Sequence, residues 1–183
     1  MRSCLLLASL VLACPSLAAA DEALWALLRG GGQVVFMRHA ITTPGVGDPA
    51  GFRLEDCATQ RNLTDAGRED ARRVGATLRS RGIPIGRVLS SPWCRCLETA
   101  RLAFGGSETW TPLSSLFDNR AREAEQMREL REIAGHRPAG SNLVLVTHGS
   151  VVLPLTGIQP APVELVVLTP DGSGFRVAGR MAP

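Results

Sequence analysis

The sequence predicts an α/β fold around a mostly parallel sheet, and three observations carry that prediction. Two runs of strand length, "VVFM" at 34–37 and "LVLV" at 143–146, are apolar at every position, as strands covered on both faces are. Around them, segments with helical spacing of apolar residues alternate with shorter β-branched runs, the order that parallel pairing needs because each return requires a crossover. The 183 residues contain no internal repeat and no linker, which suits one domain burying about 70% of its unfolded surface.

The N-terminus reads as a secretory signal. Arg2, the apolar run Leu5 to Ala13 and the small residues of "SLAAA" place the cut after Ala20, which divides the chain into a signal peptide at 1–20 and one domain at 21–183. A competing reading takes "VLAC" as a lipoprotein site with Cys14 acylated, although Leu12 and Pro15 suit it poorly. The run is too short to span a bilayer, so the expected location is secreted or periplasmic.

The elements follow in order. "DEALWALLRGGG" predicts a short helix with Leu24, Leu27 and Leu28 on one face, stopped by glycines. The first strand runs from Gln33 to Arg38, and Ala40 to Asn62 is a long loop rich in Gly, Pro, Asp and Thr, a kind of segment that is usually functional. Thr64 caps a helix that reaches about Arg81, with Ala71, Val74 and Leu78 inward and Gly82 as the stop. "GRVLSSP" is a second strand, and "SPWCRCLETARLAF" a second helix with Ser91 as cap, Pro92 in first position and Trp93, Leu97, Ala100 and Phe104 on its inner face. A brief strand near Thr109 to Pro112 precedes a third helix, roughly Arg120 to Ala134, whose charges form a solvated face. "NLVLVT" is the next strand, and the chain closes in a hairpin around "PDGSG".

Composition excludes several classes. Without residues 1–20 the chain carries 19 basic and 17 acidic residues, too balanced for a nucleic-acid or membrane-surface protein, and with no tyrosine it offers no stacking platform for single strands. No cofactor and no metal are expected, since a C-x-C pair with one distant cysteine lacks zinc-ligand spacing. Cys57, Cys94 and Cys96 are an odd number in an oxidising compartment, which implies one disulfide and one free thiol. A monomer acting on a small molecule is expected.

Ligands in open α/β sheets collect beyond the carboxyl ends of the strands. Both apolar strands end in a histidine there, His39 after Arg38 and His148 after Thr147, and Arg95 joins them from the first turn of the following helix. Two histidines, two arginines and a helix N-terminus describe a site for a small, multiply charged anion such as phosphate. One Arg-His pair alone would more often be a satisfied core histidine, and the repetition on a second strand argues against that. Arg95 has its own bland reading, a salt bridge to Glu98, while His136 in "GHRP" reads as a solvated loop residue.

The segments "FMRHA", "NLTDAGREDA", "LSSPWCRCLETA" and "LVLVTHG" together resemble, in order, the four signature segments of the histidine phosphatase superfamily. The likeness is to its phosphatase branch, and "DCATQRNL" with "SPWCR" resembles small secreted members such as lipopolysaccharide core heptose-phosphate phosphatase. Ala40 stands where the signature has glycine, and alanine is small enough to keep the turn. The resemblance implies a three-layer α/β/α, phosphoglycerate mutase-like fold. It also implies metal-free phosphomonoester hydrolysis in which His39 attacks phosphorus, with its other ring nitrogen donating to a backbone carbonyl.

Arg38 and Arg95 would hold the non-bridging oxygens, with His148 as a third ligand protonated beside the dianion. Arg61 is the loop residue expected to touch substrate, with Arg53 and Gln60 as neighbours. The family's acid lies in a Leu-x-Glu pattern, but "TPLSSLFDNR" has Ser115 at that place, so Asp118 is the candidate proton donor, competing with a helix-cap role; Glu55 and Asp56 are the alternatives. Cys94 and Cys96 are too close to pair comfortably, and Cys96 holds a place the family gives to a small buried residue, which leaves Cys57–Cys94 as the expected disulfide. The reaction expected is that of an exported phosphomonoesterase on an envelope phosphosugar. Two alternatives compete: a silent phosphoester-binding envelope protein, kept open by Ser115, and a phosphoglycerate mutase-type phosphotransferase, which a short exported chain fits poorly.

Overall fold

A computed structural model describes residues 17–117 and 120–183. Most of the signal segment, with Cys14, and the candidate acid Asp118 lie outside the described residues. The elements are α1 (Leu17–Arg29), β1 (Val34–Arg38), α2 (Asp65–Ser80), β2 (Ile85–Ser90), α3 (Cys94–Phe104), β3 (Glu108–Thr109), α4 (Glu123–Gly135), β4 (Asn142–Thr147), α5 (Gly149–Thr156), β5 (Leu165–Pro170) and β6 (Phe175–Met181). Short 3-10 turns lie at Cys57–Thr59, Thr111–Leu113 and Arg120–Arg122. No helix among the described residues is long and apolar enough to cross a membrane.

Six strands form one sheet in the order β3-β2-β4-β1-β5-β6. Strands β3, β2, β4 and β1 pair parallel, and the closing hairpin adds β5 and β6 by antiparallel pairing. The strand periodicity of two divides the uniformly apolar β1 and β4 between two cores. Val35, Met37, Val144 and Val146 pack under Trp25 and Leu28 of α1, Val74 and Leu78 of α2, and Cys96 and Ala100 of α3. Val34, Phe36, Leu143 and Leu145 face the other way, against Met127 and Leu130 of α4 and Val151 and Val152 of α5. Three layers result, with the central pair of strands buried on both sides.

Thr64 caps α2 as the sequence predicts, its hydroxyl accepting from the Gly67 amide at 3.0 Å. Helix α3 departs from expectation. It begins after Trp93, with no side-chain cap; the Ser91 hydroxyl, two residues before, accepts from the Trp93 amide at 3.4 Å and lies 2.8 Å from His148 Nε2. Its inner face is turned as well: Cys96, Thr99, Ala100 and Ala103 are buried, while Leu97 and Phe104 are only half-buried. Packing against α2 sets this rotation, since Gly75 meets the Ala103 carbonyl so closely that a Cβ there would stand 2.1 Å from its oxygen. The strand expected near Thr109 to Pro112 shrinks to two residues and gives way to a 3-10 turn. Helix α5 was not anticipated, because eight residues with two valines and an internal Pro154 carry no helical signature.

Candidate active site

Parallel pairing of β1 with β4 sets Arg38 opposite Thr147, so the residues that follow, His39 and His148, emerge side by side. The His39 amide donates to the Thr147 carbonyl at 2.9 Å, which fixes the turn, and the two imidazole centroids lie 5.4 Å apart. His39 Nδ1 lies 2.8 Å from the Ala40 carbonyl oxygen. A carbonyl only accepts, so Nδ1 carries the proton and the lone pair resides on Nε2. Burial, with the charges of Arg95, Arg38 and Arg61, lowers the His39 pKa to about 3 despite the opposing effect of the Ala40 bond. The turn is fastened to α3: Thr99 Oγ1 accepts from the Ala40 amide at 3.0 Å and donates to the Arg95 carbonyl at 2.6 Å.

His148 is buried, with Nε2 at 2.8 Å from Ser91 Oγ and the Trp93 ring packed edge-on against it. Burial first, then His39 and the same three arginines, hold its pKa well below the ordinary histidine value. That shift favours the neutral imidazole. Cys96, 3.5 Å from the same ring nitrogen, is a buried thiol whose pKa burial pushes up to about 12.

Arg38, Arg61 and Arg95 converge on one cavity of about 250 Å³ that His39 and His148 also line. One Nη1 of each is held: Arg38 on the Pro160 carbonyl, Arg61 on the Gly45 carbonyl and Arg95 on Asp48. Each Nε is buried without a partner. Buried unpaired donors destabilise a protein by about 1–3 kcal/mol each, so three around one cavity mark a place where an anion belongs.

Asp48 is the residue sequence reasoning missed. Its side chain is 1% exposed, and its carboxylate accepts from Arg95 Nη1, Trp93 Nε1 at 3.1 Å and the Arg61 amide at 2.9 Å. Burial alone would raise its pKa, but these donors outweigh it and hold the carboxyl below its ordinary value. Cys57 and Cys94 are bonded, as expected, and the Gln60 side chain accepts from the Cys94 amide at 3.0 Å, so the 40–62 loop is tied to the start of α3 at two points. Gln159 and Ser150 also line the cavity unannounced by any motif.

The acid candidates are resolved in part. Ser115 is buried on the cavity wall, its hydroxyl accepting from the Phe117 amide. Asp56 caps the 3-10 turn at Ala58 and pairs with Arg53, while Glu55 is exposed beside the same arginine. Neither lines the cavity, nor does Arg53. No carboxylate among the described residues lines it, and Asp118 lies outside them. Glu98 pairs with Arg68 rather than with Arg95, and His136 is an exposed loop residue.

Residues 34–124 match the model of the histidine phosphatase superfamily, branch 1, a span that holds Arg38, His39, Arg61 and Arg95. The chain belongs to the histidine phosphatase superfamily. His148 lies beyond the matched span and reaches the same cavity from the end of β4. Among solved structures, the protein histidine phosphatase SixA in complex with tungstate is 20% identical and aligns over 82% of this chain and 97% of its own, with a TM-score of 0.55. YhfR of Bacillus stearothermophilus is 19% identical over 80% of this chain and 95% of its own, TM-score 0.60. A phosphoserine phosphatase mutant of Entamoeba histolytica, in complex with phosphoserine, is 12% identical over 81% and 95%, TM-score 0.55. At these identities the likeness is one of fold. No curated protein sequence matches the chain. Histidine phosphatase membership supports phosphatase activity, in a superfamily that also holds mutases.

Proposed function

We propose that this chain is an exported, metal-independent phosphomonoesterase working through a phosphohistidine intermediate on His39. The observation that carries the reading is the bond from His39 Nδ1 to the Ala40 carbonyl, which leaves a lone pair on Nε2 in a cavity shared with three incompletely paired arginines. A phosphomonoester dianion takes the free donors of Arg38, Arg61 and Arg95, which supply the positive charge that a divalent cation provides in other phosphoryl-transfer sites. The dianion reverses the local field, and His148 then takes a proton and donates to a phosphate oxygen.

Nε2 of His39 forms the N–P bond as the P–O bond to the leaving group breaks, and the leaving oxygen takes a proton. That proton is assigned to Asp118, which follows the cavity-lining Phe117 in sequence. Water then attacks phosphorus, the P–N bond breaks, the acid regains the proton water gives up, and orthophosphate leaves. Export is supported by the N-terminal signal pattern and by the Cys57–Cys94 bond. An exported phosphomonoester of the envelope is the substrate class that this location favours.

Ser115 favours a second reading, a protein that binds phosphoesters without turning them over. The test is phosphate release from an aryl phosphate by protein lacking residues 1–20, with excess EDTA, beside His39→Ala. Activity that survives chelation and is lost in the variant supports the proposal, together with acid-labile phosphate on the parent after a rapid quench. Equal activity in both proteins overturns the nucleophile, and phosphoester binding without release across a substrate panel establishes the second reading.

A further inference from the structure

A second depression adjoins the anion cavity. This trough, of about 340 Å³, shares Phe117 and Ser150 with the cavity and is otherwise lined by Leu116, Leu153 and Pro154, with Arg120 and Glu123 beside them. Its size lies in the range of about 300–1,000 Å³ that holds small ligands. Large apolar side chains are exposed at only six described positions, and three of them cluster here: Val46, 84% exposed, and Phe117, 58% exposed, on the cavity, and Leu153, 45% exposed, in the trough. Exposed large apolar side chains grouped about one cavity and trough are the kind of surface that marks a binding place.

These side chains are held in place. Ser150 Oγ accepts from the Leu116 amide at 3.3 Å, and Ser115 Oγ accepts from the Phe117 amide at 3.2 Å, which fixes the segment against α5. The Phe117 ring lies on the backbone of Gly47, where a Cβ would stand 3.1 Å from its Cε1, and Gly47 has φ +71°. Leu153 stands one helical turn beyond Ser150, on the same side of α5. Among the described residues, the wall of the trough is mostly apolar, with Ser150, Arg120 and Glu123 as its polar members.

We propose that this trough receives the leaving group, and that the substrate is the phosphomonoester of an apolar alcohol rather than of a sugar. The inference rests on the phosphatase reading for the position of the phosphate. It is tested with n-alkyl phosphates of two to eight carbons and a hexose 6-phosphate, and in parallel with n-alkylphosphonates, whose binding is read by calorimetry and needs no turnover. The expected result is a kcat/KM, and a phosphonate affinity, that rises about two- to four-fold per methylene, with the hexose phosphate below the octyl ester. Leu153→Ser should lower the octyl-to-ethyl ratio by about ten-fold or more.

A flat series in both measurements, or a hexose phosphate preferred over the octyl ester, overturns the proposal. A rising phosphonate series with no hydrolysis of any ester would uphold the trough while the phosphatase reading failed.

Discussion

Asp48 receives Nη1 of Arg95 at 2.8 and 2.9 Å from its two carboxylate oxygens, across 47 residues of sequence. The side chains are 1% and 3% exposed, so each charge depends on the other for its solvation. Removing one partner of such a pair destabilises by about 3–5 kcal/mol, because the remaining charge is stranded. Asp48→Ala should show that loss in urea unfolding. Inorganic phosphate should restore more stability to the variant than to the parent, since the anion can pair with the stranded guanidinium; an equal effect on both would mean that Asp48 has no bearing on the anion site.

The Cys57–Cys94 bond closes a loop over a sequence separation of 37, which constrains the unfolded chain by about 4 kcal/mol in the chain-entropy model. Reduction, or Cys57→Ser with Cys94→Ser, should lower unfolding free energy by about 2–4 kcal/mol. Asp48 and Arg61 belong to the 40–62 loop that this bond ties to the start of α3, so phosphate affinity should fall with it. Alkylation of Cys57 in the native protein without reductant would contradict the bond.

His39 and His148 are held neutral in the fold, His39 with a pKa of about 3 and His148 well below the ordinary value. Both bind protons more readily once unfolded, so the unfolded chain carries more protons in mild acid and stability falls as pH drops. The contribution is fully present above pH ~6.5 and is lost between pH ~6.5 and the folded value, for His39 on the order of 4–5 kcal/mol. Urea midpoints measured from pH 7.5 to 4 should fall steeply, and less steeply in His39→Ala. The same slope in both proteins would show that His39 is not buried as a neutral group.

Arg61 lines the cavity and keeps a buried, unpaired Nε, whereas Arg53 in the same loop pairs with Asp56 and Glu55 outside it. Arg61→Ala should weaken phosphate binding by about 10- to 100-fold, the value of one or two charge-assisted hydrogen bonds. Arg53→Ala should leave that affinity as it is. Calorimetric titration with phosphate distinguishes the two, and an unchanged affinity in Arg61→Ala would place the anion elsewhere.

Much of this site was legible in the chain. A residue's place at the end of an apolar strand is a local property, and in an α/β sheet it fixes the edge to which the residue belongs. His39, Arg38 and His148 follow from that rule, and Arg95 from its position in the first turn of the next helix. Asp48 could not be read in the same way. It lies in a stretch, "PGVGDPAGF", with no periodicity, and its partners Arg95 and Trp93 come from a different element. Ser91 was legible as a cap, the commonest use of a serine before a helix, and its second partner, His148, arrives from β4, which no local pattern announces.

The sequence by itself determined the α/β class, the central strands and the two histidines at one sheet edge, because these depend on patterns confined to a few neighbouring residues. Only the tertiary structure decided which carboxylate holds Arg95, that Arg61 turns inward while Arg53 turns outward, and that Phe117 and Leu153 line one trough beside the cavity. Those relations depend on the path of the 40–62 loop and on the packing of α5. That path is set by contacts between distant residues, whose energies exist only once the chain has closed on itself.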